Sequence, residues 1–308
     1  MKFFTLPTEP KALRYKGSLN KFYTFFRLNG GVHRSVLSPY LPSLYLGIIR
    51  LLFGTYILTS FIVHFTHLVS QKPKFIQKQG WKLLGDIMIH CFIAQASYFL
   101  ISGYHTIVLS IRQRRKTPTG AGLNACNPLA AWLKPLQLAH LMLQTTVMTF
   151  PLFCTIVYCY WTLPAQPKWA AEPWTRWSTI TFYMLNSVLS YIELFLSASR
   201  PRPWSHLMVV ISCLGLYLAF HSILVTATGG KVWIYTVLKF SLRMNEGWIS
   251  AVRVFGLCAL ATGSFCVMQF FLWIKCRYLG GLNISSVKRV EELPLHNVAG
   301  HADCHQNP

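Results

Sequence analysis

Six apolar stretches divide this 308-residue chain, each about 21 to 28 residues long and so able to cross a hydrocarbon core of roughly 30 Å. They run from Pro42 to Thr66, Leu83 to Ser110, Leu136 to Trp161, Thr179 to Ser199, Ser205 to Ala227 and Trp248 to Ile274. A backbone inside lipid must satisfy its own hydrogen bonds, so stretches of this kind fold as helices. The expected fold is all-α, a polytopic bundle of six transmembrane helices. The 53% hydrophobic and 12% charged content fits a membrane protein better than a soluble domain.

Residues 1–40 read as a basic cytosolic arm, 41–279 as the transmembrane domain and 280–308 as a flexible cytosolic tail. The arm carries seven basic residues among aromatics, with no apolar core of a signal peptide and a short interfacial helix expected near Lys21 to Leu28. Lys and Arg number 18 in the arm, second loop, fourth loop and tail, against 9 in the remaining loops. By the positive-inside rule both termini face the cytosol, which six spans allow, and an internal membrane such as the endoplasmic reticulum is expected. The net charge of +21 is spread over span ends, which points to anionic lipid head groups and not to nucleic acid. Nine dispersed cysteines without C-x-x-C spacing give no zinc site or disulfide framework, and no cofactor or metal is called for.

Asp86 and Glu193 are the only acids within the apolar stretches. A carboxylate at mid-bilayer costs about 2.5 to 3.5 kcal/mol on insertion scales, so each requires a partner, a wet cavity or a proton. Asp86 and His90 stand at i and i+4 on one helical face, where a carboxylate and an imidazole can share a proton. In the fourth stretch Tyr183, Asn186 and Glu193 follow one face, and the third adds His140 and Gln144 at i and i+4. Asp86, His90, Tyr183 and Glu193 are therefore the candidate catalytic groups, with Asn186, His140 and Gln144 as candidate substrate-binding groups. The competing expectation is that these side chains hydrogen-bond between helices and fix the bundle, at about 0.6 to 2 kcal/mol each. Arg50 and Arg253, near span ends, are expected to extend their stems to the interface.

Several ordered motifs carry a resemblance. They are Gly80-Trp81-Lys82, Ala96-Ser97-Tyr98-Phe99-Leu100, His105-Thr106, Leu136-Gln137-Leu138-Ala139-His140, Thr149-Phe150-Pro151, Leu185-Asn186-Ser187-Val188 with Glu193, Pro201-Arg202-Pro203-Trp204, Leu216-Tyr217-Leu218, and Gly230 with Trp233-Ile234-Tyr235. In this order and spacing, over Pro42 to Leu279, the chain resembles the androgen-induced gene product family, in its fungal branch. The resemblance implies a membrane-embedded hydrolase that cleaves fatty-acid esters of hydroxy fatty acids with one threonine and one histidine. This chain departs from the pattern at both positions. Gly85 and Asp86 stand where the threonine is implied, and Tyr183, Ser187 and Ser190 stand near the implied histidine.

Two functions follow. One is an enzyme acting on a lipophilic ester or a related lipid or isoprenoid within the bundle, by hydrolysis or by proton-initiated cyclisation or isomerisation beside Tyr98, Phe99, Phe182, Tyr183 and Tyr191. The other is a non-catalytic lipid-binding or scaffolding protein that has lost the dyad. The lack of internal symmetry argues against a transporter. Partners expected are the bilayer and a lipophilic small molecule.

Overall fold

The computed structural model describes residues 18–26, 28, 34–71, 85–115, 128–162, 172–229 and 247–279. Among them there is no strand, and six helices are long and apolar enough to span a membrane. The basic arm before Ser18, the tail beyond 279 and the motifs around Trp81 and Trp233 lie outside the described residues.

Helix α1 (Ser18–Phe25) falls where the interfacial helix was expected. The first span is α2 (Ser43–Gln71), the second α3 (Ile87–Arg115) and the third α4 (Lys134–Val157). The fourth is built in pieces: α5 (Pro173–Thr179), a π-helical turn Ile180–Leu185, then α6 (Asn186–Leu196). The fifth is α7 (Ser205–Ala227) and the sixth α8 (Gly247–Ile274). The fifth coincides with its predicted bounds, and the others shift by a few residues.

Close approach, not a hydrophobic driving force, brings spans together in lipid. The first two spans achieve it through Gly47, Gly54 and Gly103. A Cβ on Gly54 would stand 2.9 Å from Leu100 Cδ2, and one on Gly103 2.9 Å from Leu51 Cδ2. A second core joins spans two to six around Met88, Met148, Phe153, Leu194, Val210, Leu214 and Phe265.

Two irregularities face each other. Pro151 sits inside α4, where it cannot donate the helical N–H bond, and a π-helical turn at Tyr158–Thr162 follows. The π-turn of the fourth span lies alongside, and the rings of Tyr158 and Tyr183 stack at 3.6 Å between centroids. Widened turns of this kind are frequent at functional sites. Here one carries Tyr183 and delivers Asn186 at its exit.

Candidate functional site

Glu193 and Asp86 do not converge. Asp86 stands just before the second span rather than within it, and its Oδ1 accepts the Met88 N–H at 2.9 Å, a helix N-cap. Tyr98, which donates to Glu193 Oε1 at 2.9 Å, lies twelve residues further along the same span. At 1.5 Å per residue the two acids are about 18 Å apart along that axis, at opposite ends of the bundle.

The Glu193 end is a dense hydrogen-bonded network. Arg50, 0% exposed, places Nε 3.0 Å from Glu193 Oε2 and Nη2 2.5 Å from Oε1, a bidentate pair between the first and fourth spans. Arg50 Nη1 donates to Thr106 Oγ1 at 2.7 Å and Nη2 to the Ser35 carbonyl at 2.7 Å. Arg50 therefore does not extend to the interface as expected. A buried carboxylate demands a cation, and pairing across spans relieves both charges. Gln144 Nε2 donates to the Tyr98 hydroxyl and to Ser199 Oγ, both at 3.0 Å, and its Oε1 accepts from Arg202 Nη2. Gln144 and Glu193, expected at a substrate, are thus committed to the scaffold. His140 Nε2 lies 3.4 Å from Ser102 Oγ, with its ring stacked on Tyr98.

The connection between the fourth and fifth spans belongs to this network. Arg202 N donates to Gln269 Oε1 at 2.8 Å and Gln269 Nε2 returns a bond to the Arg202 carbonyl at 2.7 Å. Lys275 Nζ, on a residue only 4% exposed, caps the last turn of α6 through the carbonyls of Leu194 and Ser197 at 2.6 and 2.7 Å. Burial, reinforced by nearby Arg34, pulls the Arg202 pKa down to about 10, which leaves it charged at neutral pH.

The Asp86 end differs. Its carboxylate lies within electrostatic range of the Tyr183 and Tyr217 hydroxyls, and Tyr217 donates to the Gly85 carbonyl at 2.8 Å. The expected Asp86–His90 carboxylate contact is not formed. His90 Nδ1 stands 2.9 Å from the backbone carbonyl of Asp86 instead, because the carboxylate has turned to cap the helix. The exposed imidazole packs edge-on to Tyr217 and Phe220. The Cys91 and Cys154 sulfurs meet at 3.6 Å just inside this end.

Between the two ends lies Asn186, 1% exposed, with neither amide atom bonded, and Gln95 Oε1 is likewise buried without a partner. Gln95 Nε2 meanwhile donates to the Asn186 carbonyl at 2.9 Å and to Ser190 Oγ at 2.8 Å. Gln95, four residues past Cys91 in the second span, is a further member of the site that the sequence alone did not single out. Unsatisfied buried amides cost about 1 to 3 kcal/mol each, so these two carry polar capacity that the described protein groups do not use.

A hydroxyl–imidazole contact does occur elsewhere, Thr145 Oγ1 to His206 Nδ1 at 2.7 Å. The Thr145 hydroxyl also lies 3.1 Å from the Leu141 carbonyl, which competes for its one proton. His206 Nε2 stands 3.3 Å from the Phe26 carbonyl, so this pair ties the chain after α1 to the bundle.

The six apolar helices and their buried charged network define an integral, multi-pass membrane protein. No family model, no curated protein and no solved structure matches the chain. Among the described residues no group of three or more metal-ligating side chains comes together.

Proposed function

We propose that the chain is a membrane-embedded enzyme acting on a lipophilic small molecule, an ester or a related lipid or isoprenoid, at the Asp86 end of the bundle. The observation that carries this reading is the buried Asn186 amide, with both polar atoms unspent, beside the unspent Gln95 Oε1. An oxygen-bearing substrate group fits these atoms, since the Asn186 Nδ2 donates and the two amide oxygens accept. Asp86 and Tyr183 are the proton-transfer groups, Asp86 as general acid or base and Tyr183 as its phenolic partner. This reading leaves Glu193 out of the chemistry, since Arg50 and Tyr98 both engage its oxygens.

The resemblance to the androgen-induced gene product family supports the lipid-ester class of substrate, with Asp86 acting as general base on water where the family uses a hydroxyl nucleophile. Cytosolic termini, with the Arg50–Glu193 end toward the cytosol and the Asp86 end toward an internal lumen, complete the proposal.

The test is turnover of fatty-acyl and prenyl substrates by the full chain in detergent. Asp86→Asn and Tyr183→Phe are expected to abolish turnover with the melting midpoint kept. Retention of a lipophilic ligand by the wild type without any turnover favours the second reading, a lipid-binding protein using the same Asn186 site.

A further inference from the structure

Among the described residues, the bundle end opposite Asp86 gathers more positive charge than its one acid balances. Among the described residues there, Arg50 engages the single carboxylate, Glu193, with two nitrogens, Lys275 lies within electrostatic range of both Glu193 and Arg202, and Arg202 joins the network through Gln144. Arg34 lies within electrostatic range of Arg202. The other two acids among the described residues, Asp86 and Glu172, open the second and fourth spans and so stand at the far end.

Arg202 is the residue through which this excess is presented. Its backbone is clamped to Gln269, and one guanidinium nitrogen is held by Gln144. Nε and Nη1 have no hydrogen-bond partner among the described residues, on a side chain that remains partly accessible. Guanidinium donors fixed in place but unspent suit the oxygens of an anion. Their depth identifies the source: Trp204 is 66% exposed, Tyr278 68% and Tyr40 45%, around the same end. Exposed Trp and Tyr at span ends mark the head-group layer. Tyr40 and Tyr278 flank the ends of the first and sixth spans, and Trp204 stands two residues from Arg202.

We propose that Arg202, with Lys275 behind it, forms a specific site for a phosphate monoester, as on the head group of an anionic phospholipid, separate from the Asp86 site.

Native mass spectrometry of the full chain released from phosphatidylcholine bilayers containing a minor fraction of phosphatidic acid tests this. Wild type should retain phosphatidic acid selectively, and Arg202→Gln should reduce retention by about tenfold or more, the weight of a charge-assisted hydrogen bond. Arg200→Gln removes the same charge from an exposed neighbour and should change retention by no more than about twofold. Should Arg202→Gln fail to give a cooperative melt, Arg202→Lys carries the test, because it keeps the charge and loses the planar donors. Competition by millimolar inorganic phosphate supports the site and assigns it to a soluble phosphate as well as a lipid. Equal losses in the Arg200 and Arg202 variants, or no loss in either, overturn the proposal in favour of diffuse surface attraction. Retention that appears only when Glu291→Gln and Glu292→Gln are combined also overturns it, since the chain's own tail would then fill the site.

Discussion

Arg50 and Glu193, 143 residues apart in sequence, meet edge to edge between the first and fourth spans, with no exposure on the cation and 1% on the acid. The Arg50 guanidinium also binds the Ser35 carbonyl before the first span and Thr106 in the second. One side chain thereby fixes four segments.

Breaking that pair from one side leaves an uncompensated charge. Glu193→Gln is expected to destabilise the folded protein by about 3 to 5 kcal/mol, while Arg50→Met combined with Glu193→Leu recovers part of the loss. Melting of the two variants and the wild type in one detergent measures it. A single variant as stable as wild type would dissolve the proposed role.

Asp86 separates capping from chemistry. Asn serves as an N-cap about as well as Asp, so Asp86→Asn should hold the melting midpoint near wild type, whereas Asp86→Ala should cost about 0.5 to 2 kcal/mol. Turnover should vanish in both. Activity surviving in Asp86→Asn would remove the acid from the mechanism.

Asn186→Leu should leave the ligand-free protein as stable as wild type or more so, by up to about 1 to 3 kcal/mol, because an unsatisfied buried amide disappears. Ligand retention should fall in the same variant. A marked loss of stability would instead show that the amide is a structural bond.

The first and second spans should not tolerate bulk between them. Gly54→Leu is expected to cost about 1 to 3 kcal/mol or to prevent folding, since even a Cβ there would stand 3.1 Å from the Leu100 backbone nitrogen. Gly215→Leu, at a position where an added Cβ meets nothing within 4 Å, is the matched control.

Cys91 and Cys154 report the packing of the second and third spans. Their sulfurs are 3.6 Å apart, a distance a modest rotamer change closes to a disulfide. Oxidation with a membrane-permeant catalyst, followed by cleavage at a protease site inserted between 116 and 127, should leave the halves joined until a reductant is added. Fragments that separate without reductant would contradict this packing.

The six spans were legible because apolar length is a strong signal, and the fifth was bounded to the residue at Ser205 and Ala227. Side-chain partnerships were not. Hydropathy fixes how deep Arg50 lies but not which helix faces it, so an arginine near a span end reads as reaching for the interface. The separation of Asp86 from Glu193 was nonetheless readable. Asp86 opens an even-numbered span and Glu193 closes one, and all even-numbered spans run in the same direction. Asn186 and Tyr183 owe their placement to a π-helical turn, which a periodicity of 3.6 cannot anticipate. The His140–Gln144 pair shared a face as expected, yet that face looked onto Ser102, Tyr98 and Arg202.

The reciprocal amide clamp between Arg202 and Gln269, together with Lys275 on the last carbonyls of α6, has a consequence for biogenesis. The sixth helix leaves the ribosome after the other five, so everything it fastens must wait, unsealed, until it emerges. A nascent chain halted before Gln269 would expose the Arg202 segment to quality control, and the final helix serves as the lock that certifies the earlier ones.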